Sequence, residues 1–129
     1  MQILDLDHLV LTVNDIDATC AFYGKVLGMQ IVTFGDNRKA LHFGNRKINL
    51  HETGKEFEPK AAHPAAGAMD ICLLADGDIE QIMAHLRTHS VEIVQGPVRR
   101  TGATGPILSV YVRDPDKNLL EIATPIPES

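Results

Sequence analysis

The chain has 129 residues, 44% of them apolar and 22% charged, with a formal net charge of −5. This length and balance predict one globular domain that buries a core without disulfide staples. Basic residues are scattered apart from Arg99 and Arg100, which leaves no phosphate-neutralising face for nucleic acid, and no apolar run approaches the roughly 18 residues of a membrane span. Cys20 and Cys72 are not a close-spaced pair and read as reduced thiols. The opening MQILDLDHLV lacks the basic and long apolar regions of a signal peptide, so the expected location is the cytoplasm.

Residues 3–13 predict a strand rich in Leu, Ile and Val. Residues 15–27 switch to helical spacing, with Ile16, Cys20, Tyr23 and Leu27 on one side, Asn14 or Asp15 as N-cap, and Gly28 just past the end. Strands are expected over 29–35, 38–44 and 47–52, separated by Gly35-Asp36-Asn37 and Gly44-Asn45. Residues 53–66 are a polar connection. The order then repeats: a strand over 68–75, a helix over 78–89 with Ile79, Ile82, Met83 and Leu86 on one face, and strands over 91–96, 107–113 and 119–124. The segment 97–106, PVRRTGATGP, is expected to be a flexible flap loosened at Gly102 and Gly105.

The chain therefore reads as α+β, a single 1–129 domain of two βαβββ modules, 1–55 and 66–125, joined by the linker 53–66. Aligning the halves sets His8 against Asp70 and His51 against Glu121, all four of them capable metal ligands. Strand alternation places each opposite an aliphatic face, so the predicted packing turns the aliphatic faces to the helices and the ligand faces to a curved-sheet cup. Asn49, Tyr111 and Arg113 are expected to line the pocket, and Arg99 and Arg100 to grip an acidic substrate group. His63, His85 and His89 read as solvated, and His42 is left open.

Three segments, LDHLVLTV at 6–13, FYGKVLGM at 22–29 and RDPDKNLLEI at 113–122, resemble the glyoxalase, bleomycin-resistance and extradiol-dioxygenase superfamily, the vicinal oxygen chelate proteins. NLHETGKEFEPKAAHP at 49–64 and the stretch 96–121 are similar to the subfamily called glyoxalase domain-containing protein 5. The resemblance implies paired βαβββ modules, a homodimer and one divalent metal ion, with Zn²⁺, Ni²⁺, Fe²⁺, Mn²⁺ and Co²⁺ all admissible for mixed imidazole and carboxylate ligands. The chain order His8, His51, Asp70, Glu121 differs from the glyoxalase I order of His, Glu or Gln, His, Glu.

The leading expectation is a metal-dependent lyase or isomerase acting on a small substrate with vicinal oxygens through an enediolate, with Glu121 or Asp70 moving the proton. A glutathione adduct is one instance of such a substrate. The alternatives are a non-haem iron dioxygenase using His8, His51 and Glu121, and a non-catalytic protein that sequesters a toxic small molecule. The low aromatic content, 5% with no Trp, weighs against the last.

Overall fold

A computed structural model describes residues 1–127 as two compact units, residues 1–68 and 69–127, each with one helix and one four-stranded sheet. Unit 1 runs β1 (His8–Val13), α1 (Ile16–Lys25), β2 (Gln30–Phe34), β3 (Arg38–Phe43) and β4 (Arg46–Glu52). Its strand order is β1-β4-β3-β2, with β1 parallel to β4 and the other pairs antiparallel. Unit 2 runs β5 (Asp70–Leu74), α2 (Ile79–Thr88), β6 (Gln95–Thr101), β7 (Pro106–Arg113) and β8 (Leu119–Pro125). Its order β5-β8-β7-β6, with β5 parallel to β8, repeats the first. The predicted pair of βαβββ modules is present.

Local chemistry explains the elements. Asp15 caps α1 by accepting from the Ala18 N–H at 3.1 Å, and Gly28, at φ +69°, takes the left-handed turn that follows the helix. Asp78 and Gln81 form a reciprocal capping box on α2. In unit 1, Leu11, Val13, Leu41, Ile48 and Leu50 are buried on the sheet face toward α1, together with Tyr23 of the helix. In unit 2, Ile79, Ile82, Met83 and Leu86 of α2 are buried, as are Val110, Val112, Leu120 and Ile122. Burying one such side chain contributes about 1.5–3 kcal/mol.

Two expectations are corrected. The first strand starts at His8 instead of residue 3, and Met1, Ile3, Leu4 and Leu6 are exposed. The segment 97–106 is mostly not a flap: Gln95–Thr101 is β6, hydrogen-bonded to β7, and 91–94 is not strand. The sequence misleads here because β6 is an edge strand with a register shift between Gln95 and Val98. An edge tolerates Pro97, whose missing N–H costs no ladder bond there. Gly96 is required at φ +107°, where an added Cβ would lie 2.6 Å from the Ser109 carbonyl oxygen.

The turn between β7 and β8 is a buried polar lock. Asp114 Oδ1 accepts from the backbone N–H groups of Asp116 and Asn118, both at 2.9 Å, and Asp114 Oδ2 accepts from Asn118 Nδ2 at 2.8 Å. Asn118 Oδ1 accepts from the Met69 N–H at 2.8 Å, which ties the start of β5 to this turn. The lock fixes the backbone beside Asp70 and the entry to the strand that carries Glu121.

Candidate metal centre and substrate pocket

In unit 1 the face opposite the aliphatic one carries His8 and Thr12 on β1, Lys47, Asn49 and His51 on β4, and Arg38 on β3. His8 pairs with Lys47, Val10 with Asn49 and Thr12 with His51. His8 is exposed, and its Nδ1 lies 2.7 Å from Asp7 Oδ1. A carboxylate on Nδ1 fixes the tautomer that leaves the Nε2 lone pair open, the usual arrangement around metal-binding imidazoles. Lys47 does not compete at His8, because its ammonium sits 4.3 Å from the centre of the Phe34 ring.

Asn49 is 6% exposed, and its Oδ1 has no hydrogen-bond partner among the described residues. A buried amide oxygen left unpaired costs about 1–3 kcal/mol, so this atom is suited to a ligand. His51 is also buried, edge-on to Phe57 at 5.5 Å between ring centres. The guanidinium of Arg38 stands 4.4 Å from the centre of the same Phe57 ring.

In unit 2 the corresponding face carries Asp70 and Cys72 on β5, Glu121 on β8, and Ser109, Tyr111 and Arg113 on β7. Asp70 pairs with Leu119, and Cys72 and Tyr111 both pair with Glu121. Glu121 Oε2 accepts from the buried Ser109 hydroxyl at 2.6 Å. Partial burial, then the Glu121 charge and a hydrogen bond to it, push the Cys72 thiol up to about 11. Cys72 is therefore a neutral thiol and a poor nucleophile at physiological pH. Arg100 and Tyr111 share this face, joined by a 3.0 Å bond from Arg100 Nε to the Tyr111 hydroxyl. Arg113 is exposed, donating to the Lys117 carbonyl at 3.2 Å.

The ladders correct the alignment of the repeat. On the parallel β1–β4 pair, Asn49 lies two residues beyond the partner of His8; on β5–β8, Glu121 lies two residues beyond the partner of Asp70. Asn49, not His51, is the counterpart of Glu121, and His51 answers to Ala123. His51 lies four residues along the ladder from His8. At about 3.3 Å per residue that offset is about 13 Å, too far for both rings of one unit to meet an ion bonded at about 2 Å. Arg99 is corrected too: it pairs with Leu108 on the opposite face of the sheet and is exposed.

At equivalent positions unit 1 offers one imidazole, His8, and one amide oxygen, Asn49, and unit 2 offers two carboxylates, Asp70 and Glu121. Oxygen-rich donors of this kind suit a hard divalent ion such as Mn²⁺ or Fe²⁺ better than a closed thiolate zinc site does. Within either unit, no three His, Cys, Asp or Glu side chains cluster at metal-holding distance among the described residues.

Burial holds the His51 imidazole below its ordinary value, with Arg38 adding to the shift, Glu56 opposing it and Lys60 reinforcing it. The folded state then resists a proton that the unfolded chain takes up near pH 6.5. Above that pH the group leaves stability unchanged; below it, stability is lost as pH falls, until the folded imidazole is protonated as well. With chelator present, Tm should drop more steeply between about pH 7 and pH 5 in the wild type than in His51→Asn. Equal slopes in the two proteins would contradict the assignment.

The sequence profile of the Glyoxalase/Bleomycin resistance protein/Dioxygenase superfamily matches residues 5–122. The Glyoxalase domain-containing protein RDO1 of Mycosarcoma maydis is 53% identical over 124 residues, 96% of this chain and 70% of that protein. The virulence protein STM3117 of Salmonella typhimurium is 53% identical over 118 residues, 92% of this chain and 82% of that protein. Its crystal structure matches with a TM-score of 0.96 at 52% identity, covering 98% of this chain and 100% of that one. The lactoylglutathione lyase of Agrobacterium tumefaciens, 22% identical with a TM-score of 0.73 over 95% of each chain, shares the fold.

Proposed function

This chain belongs to the glyoxalase, bleomycin resistance protein and dioxygenase superfamily, and from that premise we propose that it is a metal-dependent lyase or isomerase. It acts on a small substrate with two adjacent oxygens, by way of an enediolate. The observation that carries this reading is the repeated register: each sheet offers two donors two residues apart on its non-aliphatic face, His8 with Asn49 and Asp70 with Glu121. Each unit's pair offers donors suited to a divalent ion, with His8 presenting Nε2. When bound, such an ion supplies Lewis-acid stabilisation of negative charge on the substrate oxygens.

The chain's own residues do the rest. Glu121 is the proton-transferring group, its Oε2 held by the Ser109 hydroxyl, and it takes a proton from the carbon beside the substrate carbonyl. A positioned base of this kind contributes about 10²–10⁴-fold to rate. Asp70 is the second carboxylate, and Tyr111 stands in register with Glu121.

The iron dioxygenase alternative needs two imidazoles and a carboxylate on one ion. The four-residue offset of His51 from His8 removes its second imidazole from that unit.

The test is exchange of the carbon-bound proton with solvent deuterium, followed by NMR on manganese-loaded protein. The probes are small 2-hydroxy ketones, 2-hydroxy acids and the hemithioacetal of methylglyoxal with glutathione. At least one probe should exchange, and both chelator and Glu121→Gln should stop it. Absence of exchange across the panel with metal bound would overturn the reading.

The protein is also proposed to work as a homodimer. In support, the apolar side chains of Ile3, Leu4, Leu6, Val10 and Leu74 are left exposed, and a second copy is one way to cover them. Sedimentation at micromolar concentration should report twice the 14.1 kDa chain mass; a monomer that still binds metal tightly would contradict it.

A further inference from the structure

Unit 2 contains a cavity of about 620 Å³ whose lining includes Cys72, Arg100, Gly102, Gly105, Ile107 and Glu121. Arg100 enters it from the edge strand β6, where it pairs with Ile107 on β7. Its direction is fixed twice. The Nε donates to the Tyr111 hydroxyl at 3.0 Å, and the guanidinium carbon lies 5.6 Å from the centre of the Tyr111 ring. Tyr111 stands four residues beyond Ile107 and in register with Glu121, so Arg100 leans along the sheet toward the proposed metal-binding carboxylate.

The fork of Arg100 is left with little to bond. Its Nη1 reaches the Arg99 carbonyl at 3.4 Å, and no carboxylate lies within ion-pair distance of it among the described residues. A guanidinium that borders a cavity with its orientation locked and no counter-ion matches a planar acidic group, to which it can donate two parallel hydrogen bonds. Arg99 points to the other face and cannot share this role.

We infer that the pocket selects small organic acids: the end with adjacent oxygens goes to the metal-binding residues, and a second acidic group is gripped by Arg100. The inference rests on the metal-dependent reading above and adds the substrate class. Tyr111 is the positioning residue, acting through its bond to Arg100.

The experiment is titration calorimetry of manganese-loaded protein with malate and with lactate. These probes share the same 2-hydroxy acid end, and malate alone carries a further carboxylate. Wild type and Arg99→Ala should bind malate about tenfold or more tighter than lactate. In Arg100→Ala that ratio should fall to about one, with lactate affinity unchanged, and in Tyr111→Phe it should fall part of the way. Manganese content of the same samples reads the metal assignment separately, and Arg100→Ala should retain the ion. A ratio near one in the wild type, a ratio that survives Arg100→Ala, or binding of neither probe would overturn the inference.

Discussion

Glu121→Gln should strip the divalent ion from the protein and leave its fold intact. The substitution removes one negative charge and keeps the shape of the side chain. The Ser109 hydroxyl, 2.6 Å from Oε2 in the wild type, can donate to the amide oxygen instead, so no buried donor is orphaned. The metal-free Tm should therefore move little. Metal affinity should fall by more than the roughly 10–100-fold that loss of a partner merely supporting a ligand costs. Proton exchange should vanish with it, because one group serves both roles. Isothermal titration with Mn²⁺, paired with thermal melts in chelator, separates the two effects. Retained affinity with lost exchange would make Glu121 a base that does not touch the ion.

Asn118→Ala should be the most damaging change to stability among the polar residues. Asn118 is fully buried and makes four bonds: its side chain donates to Asp114 and accepts from the Met69 N–H, its backbone N–H donates to Asp114, and its carbonyl accepts from the Asp114 N–H. Truncation keeps the backbone bonds, removes the partners of the part-buried Met69 N–H and of Asp114 Oδ2, and opens a small cavity. At about 1–3 kcal/mol for each buried group left unsatisfied, a loss of about 2–4 kcal/mol is expected. For a chain of this size that lowers Tm by roughly 8–15 °C. The loss should also loosen the start of β5, so amide exchange at Ile71 and Leu73 should quicken. A Tm shift of a degree or two would mean the turn holds without its lock.

Much of the fold could be read from the sequence because each element announces itself through its own period. The aliphatic faces of β1, β4, β5 and β8 alternate cleanly, and Ile79, Ile82, Met83 and Leu86 fall on one side of a helix. β6 was hidden because Gly and Pro signal a loop unless the strand is known to lie at an edge, which is a tertiary fact.

The metal site was legible as to faces but not as to register. His8, Asp70 and Glu121 stand where alternation puts them. The assignment of His51 slipped by two residues, and a slip of two preserves the face, so alternation could not detect it. Only the parallel ladders, His8 with Lys47 and Asp70 with Leu119, fix the correspondence. Asn49 could be read as a pocket residue but not as a donor, because an asparagine amide is a weak ligand in isolation. Its unpaired buried oxygen is what suits it to that role. Likewise the adjacent residues Arg99 and Arg100 differ only in which side of β6 they occupy.

The central proposal is that His8, Asn49, Asp70 and Glu121 are metal-binding residues and that His51 is not. Its most direct test is the metal content of protein purified without chelator and then supplied with Mn²⁺, compared among wild type, His8→Ala, Glu121→Gln and His51→Ala. The account predicts about one ion per chain in the wild type and in His51→Ala, and little in the other two. A wild type that holds no ion at millimolar supply, or a His51→Ala protein that loses it as fully as His8→Ala, would contradict it.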